Sequence, residues 1–364
     1  MVNMGDNGEI ADMGGVSHCA RCLALRWLLV KPQENSGLPS QKAPLGQQVN
    51  RLSKAVLIMR NESNEHGLSR VIPSVVARQV RANSKFGCVV CRGAICDYEH
   101  IEPEFKDAKE HSPKNICLLC PTCHGKVTRG QWSKQYVRQA YDRIQADPSV
   151  KPPYSDFDIS SGNWSIALGP CKFQLPKAIF TIDGDSLLSF APPENGVGLP
   201  LLSGVFCDDQ GNVLLKIENN IWTSVLDNVW DIQVAGKVIT IRKGPGKIAL
   251  EIVVEPPNGI RVTHLDMRMA LVIVRLTSLL EIERETPNGS TVFGIDGDCI
   301  GANSCVSVDT SIERPILRDL KMYGGQGIIL SDTGITWGDG NGQAHIRQID
   351  VNGQTVFGVS EFLK

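Results

Sequence analysis

The chain has 364 residues, of which 42% are hydrophobic and 21% charged, with a formal net charge of −2. That length suits a small module plus one sizeable domain, and the composition excludes fibrous and low-complexity proteins. No run approaches the eighteen or so apolar residues of a membrane helix. The longest early apolar stretch, Cys22 to Val30, is broken by Arg26 and lacks a signal-peptide cleavage site, so a cytoplasmic protein with no membrane partner is expected.

The small net charge hides an asymmetry. Residues 69–146 hold 13 Lys/Arg against 7 Asp/Glu, whereas residues 147–364 hold 17 against 26. A polyanionic partner is therefore expected to meet the middle of the chain. Six of the twelve cysteines crowd between positions 88 and 123, a pattern that reads as metal binding rather than a secreted disulfide framework.

In chain order, residues 1–66 mix Gly, Ser, Asn, Gln and Pro with little periodicity and read as a disordered or loosely attached segment. Its Cys19–Cys22 pair lacks a second pair nearby and reads as free thiols. Patterned sequence begins just after Met59, which raises a start at that methionine as a hypothesis that the intact mass of the native protein decides. Residues 70–83, RVIPSVVARQVRAN, predict a short helix with Pro73 in its first turn and Arg78 and Arg81 on its basic side.

The stretch 86–130 carries the chemistry. Cys88 and Cys91 form one Cys-x2-Cys knuckle and Cys120 and Cys123 a second, with 28 residues between them. Two such pairs supply four thiolates for one tetrahedral zinc, a closed and therefore structural site that would contribute folding free energy to a module too small for a core of its own. Cys96 and Cys117 are left over and read as packed bystanders. Residues 131–147 predict a second helix, with Trp132, Tyr136, Ala140 and Ile144 along one face. Asp147-Pro148 stops it, and residues 149–160 read as a linker.

Residues 161–364 predict an all-β domain of unknown purpose. SGVFC-DDQGN-VLLKIE reads as a hairpin, and VWDIQV, KVITIRK, KIALEIVV and IRVTHLDM follow as strands. The Gly-rich sequences Asp296-Gly297-Asp298 and Asp339-Gly340-Asn341 read as tight turns rather than calcium loops.

Between the knuckles stand Glu99-His100-Ile101-Glu102-Pro103 and Asn115, and after them Leu119-Cys120-x2-Cys123-His124-x-Lys126. In that order these residues resemble the HNH, or ββα-metal, nuclease family, over about residues 70–147. The resemblance implies an α+β protein: a zinc-stapled ββα-metal HNH module at 67–148 followed by a larger all-β domain. It implies a metal-dependent endonuclease that nicks or cuts DNA, with RNA open as a substrate, in the manner of a regulated defence effector. His100 is the expected general base, because an imidazole titrates near neutral pH. Glu99 and His124 are the expected ligands of one catalytic Mg2+, Mn2+ or Ni2+ ion. Asn115 is expected to orient His100, and Lys126, Arg129, Arg78 and Arg81 to contact nucleic acid. The family more commonly has Asp at the position of Glu99, which puts the direct metal contact of that carboxylate in doubt. Glu102, Glu104 and Asp107 are nearby acids read as solvated, and His111 is read as exposed.

Two other functions stand beside this one. The acidic domain would mask the basic module until a ligand or protein partner displaces it, or the cysteine-rich stretch would be a non-catalytic zinc module in a nucleic-acid- or protein-binding protein.

Overall fold

The architecture follows from a short helical prelude that gives way to strands after Pro148. The computed structural model describes residues 63–191, 199–286, 289–300, 304–308, 328–331, 334–337, 343–351 and 353–358, all within one compact unit spanning Glu62–Lys364. Cys19, Cys22, Met59 and Asp339-Gly340-Asn341 lie outside the described residues. Among the described residues, no helix is long and apolar enough to cross a membrane.

Helix α1 (Ser74–Asn83) starts one residue after Pro73, whose extended backbone delivers the chain into the first turn. Its Val80 is fully buried against Ile116 and Leu118. Strands β1 (Asp97–His100) and β2 (Ile116–Leu119) form an antiparallel pair in which His100 faces Ile116 and Glu99 faces Cys117. Helix α2 (Pro121–Thr128) follows directly, with Cys120 as N-cap and Pro121 in its first turn. Helix α3 (Lys134–Ala146) is capped by Ser133, whose hydroxyl accepts from the N–H of Tyr136 at 3.2 Å.

The buried face of α3 is Val137, Ala140, Tyr141 and Ile144, so Ala140 and Ile144 of the expected Trp132, Tyr136, Ala140 and Ile144 row are buried, whereas Tyr136 is exposed and Val137 and Tyr141 take the remaining places. An i, i+4, i+8 row drifts steadily around a helix of 3.6 residues per turn. The observed i, i+3, i+4, i+7 set stays on one side.

The strands that follow are β3 (Tyr154–Asp156), β4 (Ser165–Leu168), β5 (Cys171–Gln174), β6 (Ala178–Ile182), β7 (Asp185–Ala191), β8 (Leu201–Cys207), β9 (Val213–Glu218) and β10 (Ile221–Ser224). Next come β11 (Asp231–Ala235), β12 (Val238–Gly244), β13 (Lys247–Glu255), β14 (Gly259–Met269), β15 (Val272–Leu276), β16 (Leu280–Thr286) and β17 (Gly289–Ile300). The last are β18 (Ser304–Val308), β19 (Ile328–Ser331), β20 (Gly334–Trp337), β21 (Gln343–Val351) and β22 (Gln354–Gly358).

Among the described residues they form two large sheets. One has the order β20-β19-β18-β6-β7-β8-β9-β10-β3; the other runs β11 to β17 consecutively, then β21-β22, with the β4–β5 hairpin attached through β14 and β17. The expected hairpin is β8–β9, and its turn is closed by Asp208, whose carboxylate accepts from the N–H groups of Gln210 and Asn212. The two sheets share one core that includes Phe180, Leu202, Phe206, Leu215 and Trp222 from the first and Ile241, Leu250, Leu265 and Ile282 from the second. Alternation is plain in β5, where Cys171 and Phe173 are buried and Lys172 between them is exposed.

Two expectations are corrected. Residues 149–160 are not a bare linker: Tyr154, Ser155 and Asp156 pair with β10, and Phe157 and Ile159 are buried in the large core. The Pro-rich signal at 148–153 marks only the helix end, and the apolar Phe157 and Ile159 beyond it belong to the sheet domain. Asp296-Gly297-Asp298 is not a turn either, since it lies inside β17 with a register shift against β21 at Asp296/Gly297.

The cysteine-rich segment is joined to the sheets by a polar seam. Arg81 donates through Nε and Nη2 to the two carboxylate oxygens of Asp231, at 2.9 and 2.7 Å, and through Nη1 to the hydroxyl of Tyr98 at 2.7 Å. Both Arg81 and Asp231 are buried. Arg78 donates to the carbonyl of Trp230 at 2.8 Å and stacks on its indole at 4.1 Å. The two arginines expected to meet nucleic acid instead hold α1 against β11, which bidentate geometry and aromatic stacking suit better than a lysine would.

Candidate functional site

Four thiols converge at the base of the hairpin. The Sγ atoms of Cys88, Cys91, Cys120 and Cys123 all lie within 4.8 Å of one another, and those of Cys91 and Cys120 are 3.5 Å apart. A zinc with Zn–S bonds of about 2.3 Å has tetrahedral S–S edges of about 3.8 Å, so this cluster fits that ion. The backbone N–H of Cys123 donates to Cys120 Sγ at 3.4 Å, an interaction that helps hold a thiolate.

Burial pushes the Cys91 thiol up to about 11, and burial also raises Cys123. A bound cation reverses that preference, because it binds the deprotonated form. Cys96 and Cys117 stand outside the cluster. Burial raises both thiols, and Cys96 donates to the carbonyl of Gly93 at 3.1 Å, consistent with packed bystanders.

Arg92 locks the first knuckle. It is buried, with a positive φ of 69°, and its Nη1 donates to the carbonyls of Ser84, Gly87 and Cys88 at 3.0, 3.3 and 3.2 Å. Its Nη2 reaches Lys85 O at 2.6 Å and its Nε reaches Lys151 O at 2.9 Å. Nothing in the sequence pattern marks it, because a lone Arg between two cysteines of such a stretch reads as surface charge.

Beside the thiols lies a cleft of about 600 Å³ lined by Arg70, Asp97, Glu99, His100, Phe105, His124 and Lys134, among others. It gathers the ends of three elements: Glu99 and His100 finish β1, His124 sits in the first turns of α2, and Lys134 opens α3. His124 Nε2 is 2.7 Å from Glu99 Oε2, and the ammonium of Lys134 contacts Glu99 Oε1. Lys134 also donates to the carbonyl of His100 at 2.6 Å. A cation in the first turn opposes the helix dipole; here the Glu99 carboxylate offsets that. With one oxygen on Lys134 and the other on His124, both oxygens of the Glu99 carboxylate are engaged.

His100 is half-buried. Burial, and after it the neighbouring His111, press its pKa down to about 4, leaving a neutral imidazole at physiological pH. Its Nε2 lies 3.3 Å from Nδ1 of His111, whose own Nε2 is 2.8 Å from the carbonyl of Ser69. Phe105 packs edge-on against His100 and parallel to His111, and the guanidinium of Arg70 lies 4.6 Å from the centre of the Phe105 ring.

Of the expected site residues, the structure brings Glu99, His100 and His124 together. It does not bring Asn115 to the His100 ring: its side-chain oxygen accepts from Arg138 Nη2 at 3.4 Å, and its backbone carbonyl accepts from Ile101 N at 2.8 Å. Asn115 thus closes the hairpin loop. Lys126 stacks on Trp132 at 4.4 Å and Arg129 donates to Gly125 O at 3.3 Å, so both pack around α2 and neither lines the cleft. His111 is drawn against His100 rather than left exposed. Among the acids, Glu104 reaches the cleft, while Glu102 and Asp107 are exposed.

Arg70, Phe105, His111 and Lys134 were not singled out as site residues in the sequence. Three lie in stretches with no metal-ligand spacing, and the one available signal was the Lys in the first turn of α3. No family model, curated protein or solved structure matches this chain, so its chemistry rests on the cleft itself.

Proposed function

We propose that this protein is an HNH-type endonuclease that hydrolyses phosphodiester bonds of DNA with the help of a divalent cation. The observation that carries the reading is the convergence, in one cleft beside a four-thiolate cluster, of a neutral imidazole, a carboxylate–imidazole pair and a lysine. Phosphodiester hydrolysis needs a base for water, and His100 in its neutral form takes that proton. It needs the pentavalent charge stabilised, and Lys134 and Arg70 bring fixed positive charge to the same space. A cation bound by Glu99 and His124 supplies further charge stabilisation when present. The zinc held by Cys88, Cys91, Cys120 and Cys123 is structural, because four thiolates leave it no open position. The cationic excess of residues 69–146 supports a polyanionic substrate.

The test is cleavage of supercoiled plasmid by zinc-loaded wild type, His100→Ala and His124→Ala, with Mn2+ or with EDTA. Manganese-dependent nicking that falls about 10²–10⁴-fold in His100→Ala is the expected outcome. Wild-type protein that retains zinc yet leaves both plasmid and single-stranded RNA intact overturns the reading in favour of a binding module. Cleavage of RNA alone corrects the substrate.

A further inference from the structure

We propose that His111 is a positioning residue that sets the tautomer of His100 and leaves Nδ1 of His100 as the nitrogen that takes the proton. The catalytic part of this rests on the nuclease reading of the cleft; the tautomer itself does not.

A backbone carbonyl only accepts, so His111 Nε2, 2.8 Å from Ser69 O, carries the hydrogen. A neutral imidazole has one N–H, so with its hydrogen on Nε2 the Nδ1 of neutral His111 is a lone pair. His100 Nε2 lies 3.3 Å from that lone pair and must therefore be the donor. The one hydrogen of a neutral His100 is then spent on Nε2, and its Nδ1 is bare. Among the described residues, Nδ1 of His100 has no hydrogen-bond partner.

The chain Ser69 carbonyl, His111, His100 runs from a backbone group that cannot change its role to the ring that lines the cleft. Phe105 keeps both imidazoles in place, its ring 5.3 Å from that of His100 and 6.5 Å from that of His111. Asn115, the residue expected to orient His100, is committed to Arg138 and the hairpin loop. An imidazole used as a base works from one nitrogen only, and the partner of the other nitrogen decides which. His111 is that partner here.

The test uses full-length, zinc-loaded protein labelled with 15N-histidine at pH 8, as wild type, His111→Ala and His111→Gln. Long-range 1H–15N correlation spectra read which nitrogen of His100 bears the hydrogen, and plasmid cleavage with Mn2+ gives kcat and KM. The expected result is a proton on Nε2 of His100 in the wild type, a mixture of tautomers in His111→Ala, and a fall in kcat of about 10–100-fold with KM little changed. His111→Gln, whose amide offers one acceptor and one donor, restores both the single tautomer and most of the rate. A wild-type His100 protonated on Nδ1, or a spectrum that His111→Ala leaves unchanged, overturns the inference. Since the tautomer is read without substrate, an inert wild type overturns the nuclease reading alone.

Discussion

Arg92 and His100 show how far burial changes what a side chain means. Arg92 lies between Cys91 and Gly93 and donates to five carbonyls with one guanidinium, so removing it strands buried acceptors around the first knuckle. Arg92→Ala should lower the unfolding free energy by about 3 kcal/mol in urea titration, and Arg92→Lys should restore little, because an ammonium cannot span those positions. An Arg92→Lys variant as stable as the wild type would show that charge, not the fork, matters there. For His100 the sign of the pH effect follows from its depressed pKa. The folded protein refuses a proton that an unfolded histidine accepts near 6.5, so stability falls as pH drops from about 6.5 towards 4. Under the nuclease reading, the neutral base persists through the same window. Cleavage by the zinc-loaded enzyme should therefore hold its rate below pH 6.5, where an unperturbed imidazole would lose it, and a profile breaking at 6.5 would contradict the burial argument.

At the level of elements, what could be read in advance divides by the range of the interaction. The two Cys-x2-Cys knuckles, the β8–β9 hairpin and the strands β11 to β14 were legible because spacing and alternation are local properties. The convergence of Glu99, His100 and His124 was legible only through a family resemblance, since residues 99 and 124 are neighbours by folding and not by pattern. The burial of Val137 and Tyr141 in α3, the pairing of β3 with β10 and the place of His111 were missed, because each is decided by a partner far along the chain. The thiol cluster makes its own test. Cys88→Ala and Cys123→Ala should each lose the single equivalent of zinc by metal analysis and melt residues 86–130, whereas Cys96→Ala should keep it. Chelation of the wild type should reproduce the ligand variants. Zinc loss on Cys96→Ala would move that thiol from bystander to ligand.

Among the described residues, the acidic C-terminal part meets the basic part at a buried ion pair. Asp231 engages Arg81 and lies 3.6 Å from Arg242, while the cleft is lined by residues between Arg70 and Lys134. Breaking this pair from one side leaves a buried charge without its partner, so Asp231→Leu should cost about 3–5 kcal/mol, and combining it with Arg81→Met should recover a large part of that loss. Additive costs in the double variant would mean that the two residues act independently. Because Arg81 also donates to Tyr98, the residue before Glu99 in β1, the seam supports the strand that carries the cleft. The same seam has a consequence for aggregation. Strand β11 ends its sheet among the described residues, and α1 lies along it through Trp230 and Asp231. An end strand with open N–H and C=O groups is a template for a second chain, and a covering helix is one way proteins blunt it. A chain begun at residue 149 would keep the sheets but lose that cover, so it should self-associate edge to edge at concentrations where residues 62–364 remain dispersed.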